Sequence, residues 1–332
     1  MKTSVAVYKK FICSVFIFLG VFAGTLTQAQ DVSSYPNKPI RLIVGFSAGG
    51  ISDVLGRALA AKLSNVIGHG VIVENKPGAG TTIAADFVSK SAPDGYTLFL
   101  QDMTTHAINV GLYKNLPYDL IKDFSPITLV ASTPLMLVVN PSLKVSSLKE
   151  FIPYAKSKGD ALAYASSGNG TIPHLAAETF NKTLGITPVH VPFKGSSPAT
   201  QAVLAGDVGF TFSTMPPALS LVQGKKLIAL GVTTKKRVGA APDVPTIGEA
   251  GIPGYEFVLY SGILGPKGMS PDLVKKINQI FAEVVNSLDM RQVYASIGAD
   301  PIINTPVEFT AQMNQDVTKM VQAVKVAGAH ID

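Results

Sequence analysis

Ile40-Arg41-Leu42-Ile43-Val44, followed by Gly45-Phe46-Ser47-Ala48-Gly49-Gly50, is the stretch on which the fold turns. A short β-branched run ends in a glycine turn, and beyond it Val54, Leu55, Ala58, Leu59 and Leu63 recur at helical spacing. The stretch therefore reads strand, turn, helix. The pattern repeats with Val71 to Glu74, the turn Pro77-Gly78-Ala79-Gly80, a helix near Thr82 to Lys90, and a strand from Tyr96 to Leu100. Such alternation predicts an α/β protein whose sheet is mostly parallel and flanked by helices.

A second block begins near Pro134. Leu135 to Val139 reads as a strand, Val145 to Ser157 as a helix and Ala161 to Ala165 as a strand. The turn Ser166-Ser167-Gly168-Asn169-Gly170-Thr171 follows and opens a helix through Leu175, Ala176 and Phe180. Further strands are predicted at Thr187 to Val191, Val208 to Phe212, Leu227 to Val232 and Phe257 to Leu264. Ser270-Pro271 starts a long helix, with an N-cap followed by proline in the first turn, and Pro306 to about Val326 is an amphipathic closing helix.

The chain has 332 residues, 47% of them hydrophobic and 15% charged, which suits two packed cores and excludes global disorder. Its formal charge of +6 overstates the mature protein. Lys2, Lys9 and Lys10 precede an apolar run from Phe11 to about Leu26, and Thr27-Gln28-Ala29 offers a cleavage site after Ala29. The run is short for a bilayer span of roughly 20 residues, so residues 1–29 read as a secretory leader rather than an anchor. Losing the leader removes three of the 28 basic residues and none of the 22 acidic ones, leaving a charge of about +3. The densest basic run, Lys235-Lys236-Arg237, is too small to mark a nucleic-acid partner. The single cysteine, Cys13, belongs to the leader, which leaves no disulfide, thiolate nucleophile or cysteine-based zinc site.

Several motifs invite chemistry. Gly45-Phe46-Ser47-Ala48-Gly49 matches the G-x-S-x-G of a nucleophile elbow, which makes a secreted serine esterase the rival reading. Only about 17 mature residues precede Ser47, too few for the strands and oxyanion loop that such an enzyme sets before its serine, and none of the five histidines stands in an acid-histidine arrangement. The competing reading is a helix start whose small residues let the backbone approach an anion. Pro77-Gly78-Ala79-Gly80 is a weak dinucleotide signal, because Ile83 stands where glycine or alanine is wanted. His174 with Glu178, and Asp102 with His106, are lone pairs without further metal ligands. No cofactor and no metal are expected. Two small, polar, glycine-bearing helix entries, one in each half of the chain, suggest a single ligand gripped between two lobes.

Tyr35-Pro36-Asn37-Lys38-Pro39-Ile40-Arg41, Val73-Glu74-Asn75-Lys76-Pro77-Gly78-Ala79-Gly80 and Ala92-Pro93-Asp94-Gly95-Tyr96-Thr97-Leu98 carry a resemblance. Leu116-Pro117-Tyr118-Asp119, Lys122-Asp123-Phe124, Gly168-Asn169-Gly170, His190-Val191-Pro192-Phe193-Lys194-Gly195 and Pro242-Asp243-Val244-Pro245-Thr246 extend it. In number, order and spacing these stretches make the mature chain resemble the substrate-binding proteins of tripartite tricarboxylate transporters, the Bug proteins. The resemblance implies a two-lobed, type II-like periplasmic binding protein, a monomer and not an enzyme, with its ligand cleft between the lobes. Residues 30–132 and 255–332 would form the first lobe and 133–254 the second. The implied partners are a small organic carboxylate and the membrane subunits of such a transporter, or a sensor kinase.

Carried onto this sequence, the family's site comprises Phe46, Ser47, Ala48, Gly49 and Gly50 with Ser52 and Asp53, then Ser166, Ser167, Gly168, Asn169, Gly170 and Thr171. Gln101, Asp102 and Thr104, with Phe193, Lys194 and Gly195, would line the rim, and Ser213 would stand on the facing strand end. Many relatives carry aspartate in place of Ser213. Its replacement here implies a ligand without an ammonium group, a di- or tricarboxylate or an aromatic carboxylate.

Overall fold

The computed structural model describes residues 32–327, so the expected leader and its cleavage site lie outside the described residues. Strand β1 (Ile40–Val44) pairs in parallel with β2 (Val71–Asn75) on one side and β3 (Thr97–Asp102) on the other. Leu42, Ile43 and Val44 have no exposed surface, as a strand covered on both faces requires. Helix α1 (Ile51–Ile67) follows the glycine turn, α2 (Thr82–Ser89) follows the second turn, and α3 (Met103–Leu112) grows directly from the end of β3.

Strand β4 (Phe124–Val139) is 16 residues long and joins two groups of strands. Phe124 to Pro134 pairs antiparallel with β9 (Val258–Pro266), while Leu135 to Val139 pairs antiparallel with β7 (Phe210–Thr214) and, over Met136 to Val139, with β8 (Ile228–Val232). Beyond β7 lie β5 (Ala163–Ser166) and β6 (Val189–Pro192), both parallel. The path runs β2-β1-β3-β9-β4-β7-β5-β6, with the two-residue β10 (Asp300–Pro301) also on β4. The parallel ladders that the sequence alternation predicts are those of β2-β1-β3 and β6-β5-β7. Strands β4 and β9 run antiparallel, so the sheet as a whole is mixed.

Between β4 and β9 the chain also forms α4 (Leu148–Lys158), α5 (Ile172–Leu184), α6 (Ser196–Ala205) and α7 (Met215–Gln223). The core of this region joins Met136 and Val138 of β4 to Ala199 and Val203 of α6 and Met215 and Ala218 of α7. The chain then returns beside β3 through β9 and continues in α8 (Pro271–Asn286), α9 (Leu288–Ile297) and α10 (Pro306–Ala327). Phe309 and Met313 of α10 pack with Ile43, Phe99 and Leu264, closing the first core as its amphipathic pattern predicts. Among the described residues no helix is long and apolar enough to cross a membrane.

Candidate functional site

A narrow cleft enclosing about 270 Å³, part of it open to solvent, is lined by Phe46, Gly50, Ile51, Ser52, Asp102, Ser167, Pro173, Ser196, Thr214 and Leu259. These residues mark the starts of five helices. Gly50 precedes α1, Asp102 precedes α3, Pro173 lies in the first turn of α5, Ser196 opens α6 and Thr214 precedes α7. The first backbone N–H groups of a helix have no partner within it, and its dipole favours negative charge there. At α1, α5, α6 and α7 the cap residues Gly50, Thr171, Gly195 and Thr214 make no side-chain hydrogen bond to those groups. The hydroxyls of Ser52 and Thr214, on residues 2% and 4% exposed, also have no partner. No lysine or arginine lines the cleft.

The first turn is held from behind. The Asp53 carboxylate accepts hydrogen bonds from Gly49 N at 3.0 Å, Asn75 Nδ2 at 3.0 Å and Arg57 Nε at 3.1 Å, while Asn75 Nδ2 also donates to Phe46 O at 3.0 Å. Burial alone would raise the Asp53 pKa, but the bonds from Arg57, Gly49 and Asn75 outweigh it and hold the carboxyl below its ordinary range. Asp53 thus shapes the turn and is absent from the cleft wall. Ser47 sits on the seam between the lobes, its N–H donating to Lys194 O at 3.0 Å and its unpartnered Oγ packed against Gly195. Gly195 has φ +151°, and a Cβ there would collide with that hydroxyl.

The second turn closes on itself. Ser167 Oγ donates to Thr171 Oγ1 at 2.9 Å, Thr171 Oγ1 donates to Gly168 O at 2.8 Å, and Ser166 Oγ is bonded to His190 Nε2 at 2.7 Å. Gln101 is likewise internal, accepting from Asp102 N and donating to Thr81 Oγ1 at 2.6 Å, and Thr104 Oγ1 donates to Val258 O at 3.2 Å. Ser213 Oγ is bonded to Thr200 Oγ1 at 2.7 Å and donates to Thr214 O, so it does not reach the cleft. The strand's next residue, Thr214, does. An ammonium partner therefore does not depend on position 213, because Asp102 already places a carboxylate in the cleft wall.

A second cavity, with about 590 Å³ of empty space, shares Phe46 and Ser167 with the cleft and adds Gly168, Asn169, Phe193 and Lys194 from the expected site. Its far wall is the turn Gly78-Ala79-Gly80-Thr81, together with Tyr113. Ala79 and Thr81 hold positive φ, 45° and 77°, an uncommon conformation for a side-chain-bearing residue and a strained one for a β-branched threonine. Of the expected residues, Ser47, Ala48, Gly49, Asp53, Gln101, Thr104, Ser166, Gly170, Thr171, Gly195 and Ser213 border neither cavity.

The esterase reading requires a base beside Ser47, and its hydroxyl has no hydrogen-bond partner. The serine–histidine pair that does form, Ser166 with His190, is half-buried, and burial followed by the neighbouring His174 pushes the His190 imidazole down to about 3. His106 lies between Phe99, Tyr118 and Phe124, and burial pushes it down to about 3 as well. Among the described residues no group of three or more histidine, cysteine, aspartate or glutamate side chains could hold a metal ion.

Residues 55–328 match the family described as the tripartite tricarboxylate transporter family receptor, TctC. The chain belongs to this family. It is 34% identical over 316 residues to protein BugT of Bordetella pertussis, covering 94% of this chain and 97% of that one. Among solved TctC-like structures, the periplasmic binding protein BugD superposes with a TM-score of 0.86 at 30% identity, over 90% of this chain and all of BugD. The R. palustris protein Rpa4515, solved with adipate, superposes with a TM-score of 0.86 at 32% identity over the same shares. The fold of this TctC family receptor is accordingly that of a two-lobed periplasmic binding protein.

Proposed function

We propose that the protein is a periplasmic receptor that captures a small organic carboxylate, a di- or tricarboxylate or an aromatic carboxylate, and hands it to the membrane subunits of a tripartite tricarboxylate-type transporter. The observation that carries this reading is the convergence, on one cleft without a basic side chain, of four helix starts whose cap residues make no side-chain hydrogen bond and of two unpartnered buried hydroxyls. Backbone N–H groups and hydroxyls there can hold a carboxylate by hydrogen bonds, and the helix dipoles supply the favourable potential. The adipate-bound relative supports the ligand class. The expected leader supports export to the periplasm.

The event is capture rather than catalysis. Residues 36–132 with 255–327 would form one lobe and 133–254 the other, and the ligand would stabilise the closed arrangement that the membrane partner recognises. Calorimetric titration with dicarboxylates, citrate, phthalate isomers and acidic amino acids tests the reading. At least one is expected to bind with micromolar or tighter affinity. Failure of all of them, or ester turnover blocked by a serine-directed phosphonate, would contradict it.

A further inference from the structure

The fifth helix start in the cleft differs from the other four. Asp102 caps α3, its Oδ1 accepting the N–H groups of Thr104 at 3.0 Å and Thr105 at 3.1 Å, and its Oδ2 accepting the Thr105 hydroxyl. That hydroxyl in turn accepts the N–H of Ile172, the first residue of α5, at 3.1 Å. The dipole of α3 is therefore already met by a negative side chain, and one donor of α5 is drawn into the same network across the lobes.

An ionised carboxylate offers about four lone-pair positions, and three of those on Asp102 are filled. The remaining one is on Oδ2, in a fully buried side chain that lines the cleft. A hydroxyl or ammonium group brought to it would complete the set. A second ionised carboxylate brought there would place like charges together, with no lysine or arginine in the cleft wall to offset them. Burial pushes the Asp102 carboxyl up to about 6, against the opposing effect of its Thr104 and Thr105 hydrogen bonds, in keeping with a site that tolerates added negative charge poorly.

We propose that Asp102 is a specificity-determining residue that selects, among small carboxylates, those presenting a hydrogen-bond donor to the start of α3, and rejects those presenting a second ionised carboxylate there. The inference rests on the carboxylate-receptor reading and narrows it. In this arrangement the ligand carboxylate lies at the starts of α1 and α6, beside the Ser52 and Thr214 hydroxyls, and its donor points at Asp102.

Matched ligand sets test this by calorimetry near neutral pH: succinate with malate and aspartate, glutarate with glutamate, and terephthalate with 4-hydroxybenzoate. The donor-bearing member of the set that fits is expected to bind wild-type protein at least about tenfold more tightly than its plain dicarboxylate. Asp102→Asn is expected to erase that preference by strengthening the plain dicarboxylate about tenfold. Asp102→Ser, which keeps a cap acceptor, provides the same test should the amide disturb the Thr105 network. Equal binding of the matched members by wild-type protein, or an order unchanged in both variants, would overturn the inference and leave the receptor reading standing. Failure of every ligand to bind wild-type protein would overturn both.

Discussion

Helix starts away from the cleft and helix starts within it are built differently from the same residue types. Ser147 before α4, Ser270 before α8 and Ser287 before α9 each accept a backbone N–H from the first turn they precede. Thr305 before α10 accepts Glu308 N at 3.2 Å while Glu308 accepts Thr305 N at 2.8 Å, a reciprocal capping box. In the cleft, Gly50, Thr171, Gly195 and Thr214 cap nothing, although Thr171 carries a hydroxyl that could; after Thr214, Pro216 and Pro217 offer no N–H to a cap. A serine or threonine cap stabilises by about 1 kcal/mol relative to alanine, and α4, α8, α9 and α10 keep it; α3 in the cleft is capped by Asp102, and α2, beside the second cavity, starts without a side-chain cap after Thr81. The donors these starts retain, foremost at α1 and α6 because Ile172 N of α5 is bonded and Pro216 and Pro217 of α7 carry none, face a ligand site, which separates groups retained for stability from groups kept open for binding.

The largest effect that would sharpen this contrast comes from Ser47→Asp. A carboxylate at the α1 start would occupy the potential meant for the ligand and push against Gly195 across the seam. Binding of any carboxylate ligand is expected to weaken at least about 100-fold, with circular dichroism unchanged. Gly195→Ala comes next, because its Cβ would strike the Ser47 hydroxyl at a φ of +151°. About tenfold weaker binding is expected by titration, together with a lower melting temperature, since a side chain at this positive φ is strained in addition to meeting the Ser47 hydroxyl.

Thr214→Val removes an unpartnered hydroxyl while keeping the side chain's shape. Several-fold weaker binding, equivalent to about 1 kcal/mol, is expected alongside unchanged or slightly higher stability in denaturant, because a buried polar group without a partner is costly. Ser270→Ala should do the reverse, lowering unfolding free energy by about 1 kcal/mol with no change in affinity. Equal effects of these last two changes on binding and on stability would break the comparison.

The first lobe's strands and turns were legible because β1, β2 and β3 each end in a local signal, a glycine turn or a helix start. The first half of β4 was not, since Pro126, Ser132 and Pro134 interrupt its apolar run and only pairing with the distant β9 makes it a strand. Strand direction was hidden for the same reason, as no local pattern sets the sense of β4 against β7 or β9. Helices α3, α6 and α7 are short and rich in small or proline residues, and they bury several faces, so their periodicity is faint. That concealment hid Ser196 and Thr214 from the candidate site, although Gly195 and the Pro216-Pro217 pair mark where α6 and α7 begin. Ser213 came from the family resemblance, and its hydroxyl is taken up by Thr200 on α6, a helix the sequence pattern does not show, while Thr214, one residue on, lines the cleft. Asp53 was legible as important, but its role as the brace of the first turn depends on Asn75 and Arg57.

A crystal structure of the protein with a carboxylate that calorimetry shows to bind tests the central claim most directly. The carboxylate oxygens should accept hydrogen bonds from backbone N–H groups at the starts of α1 and at least one of α5, α6 and α7, together with the Ser52 or Thr214 hydroxyl, with no lysine or arginine side chain within ion-pair distance. A carboxylate paired directly to a basic side chain, or seated outside the cleft, would contradict the account.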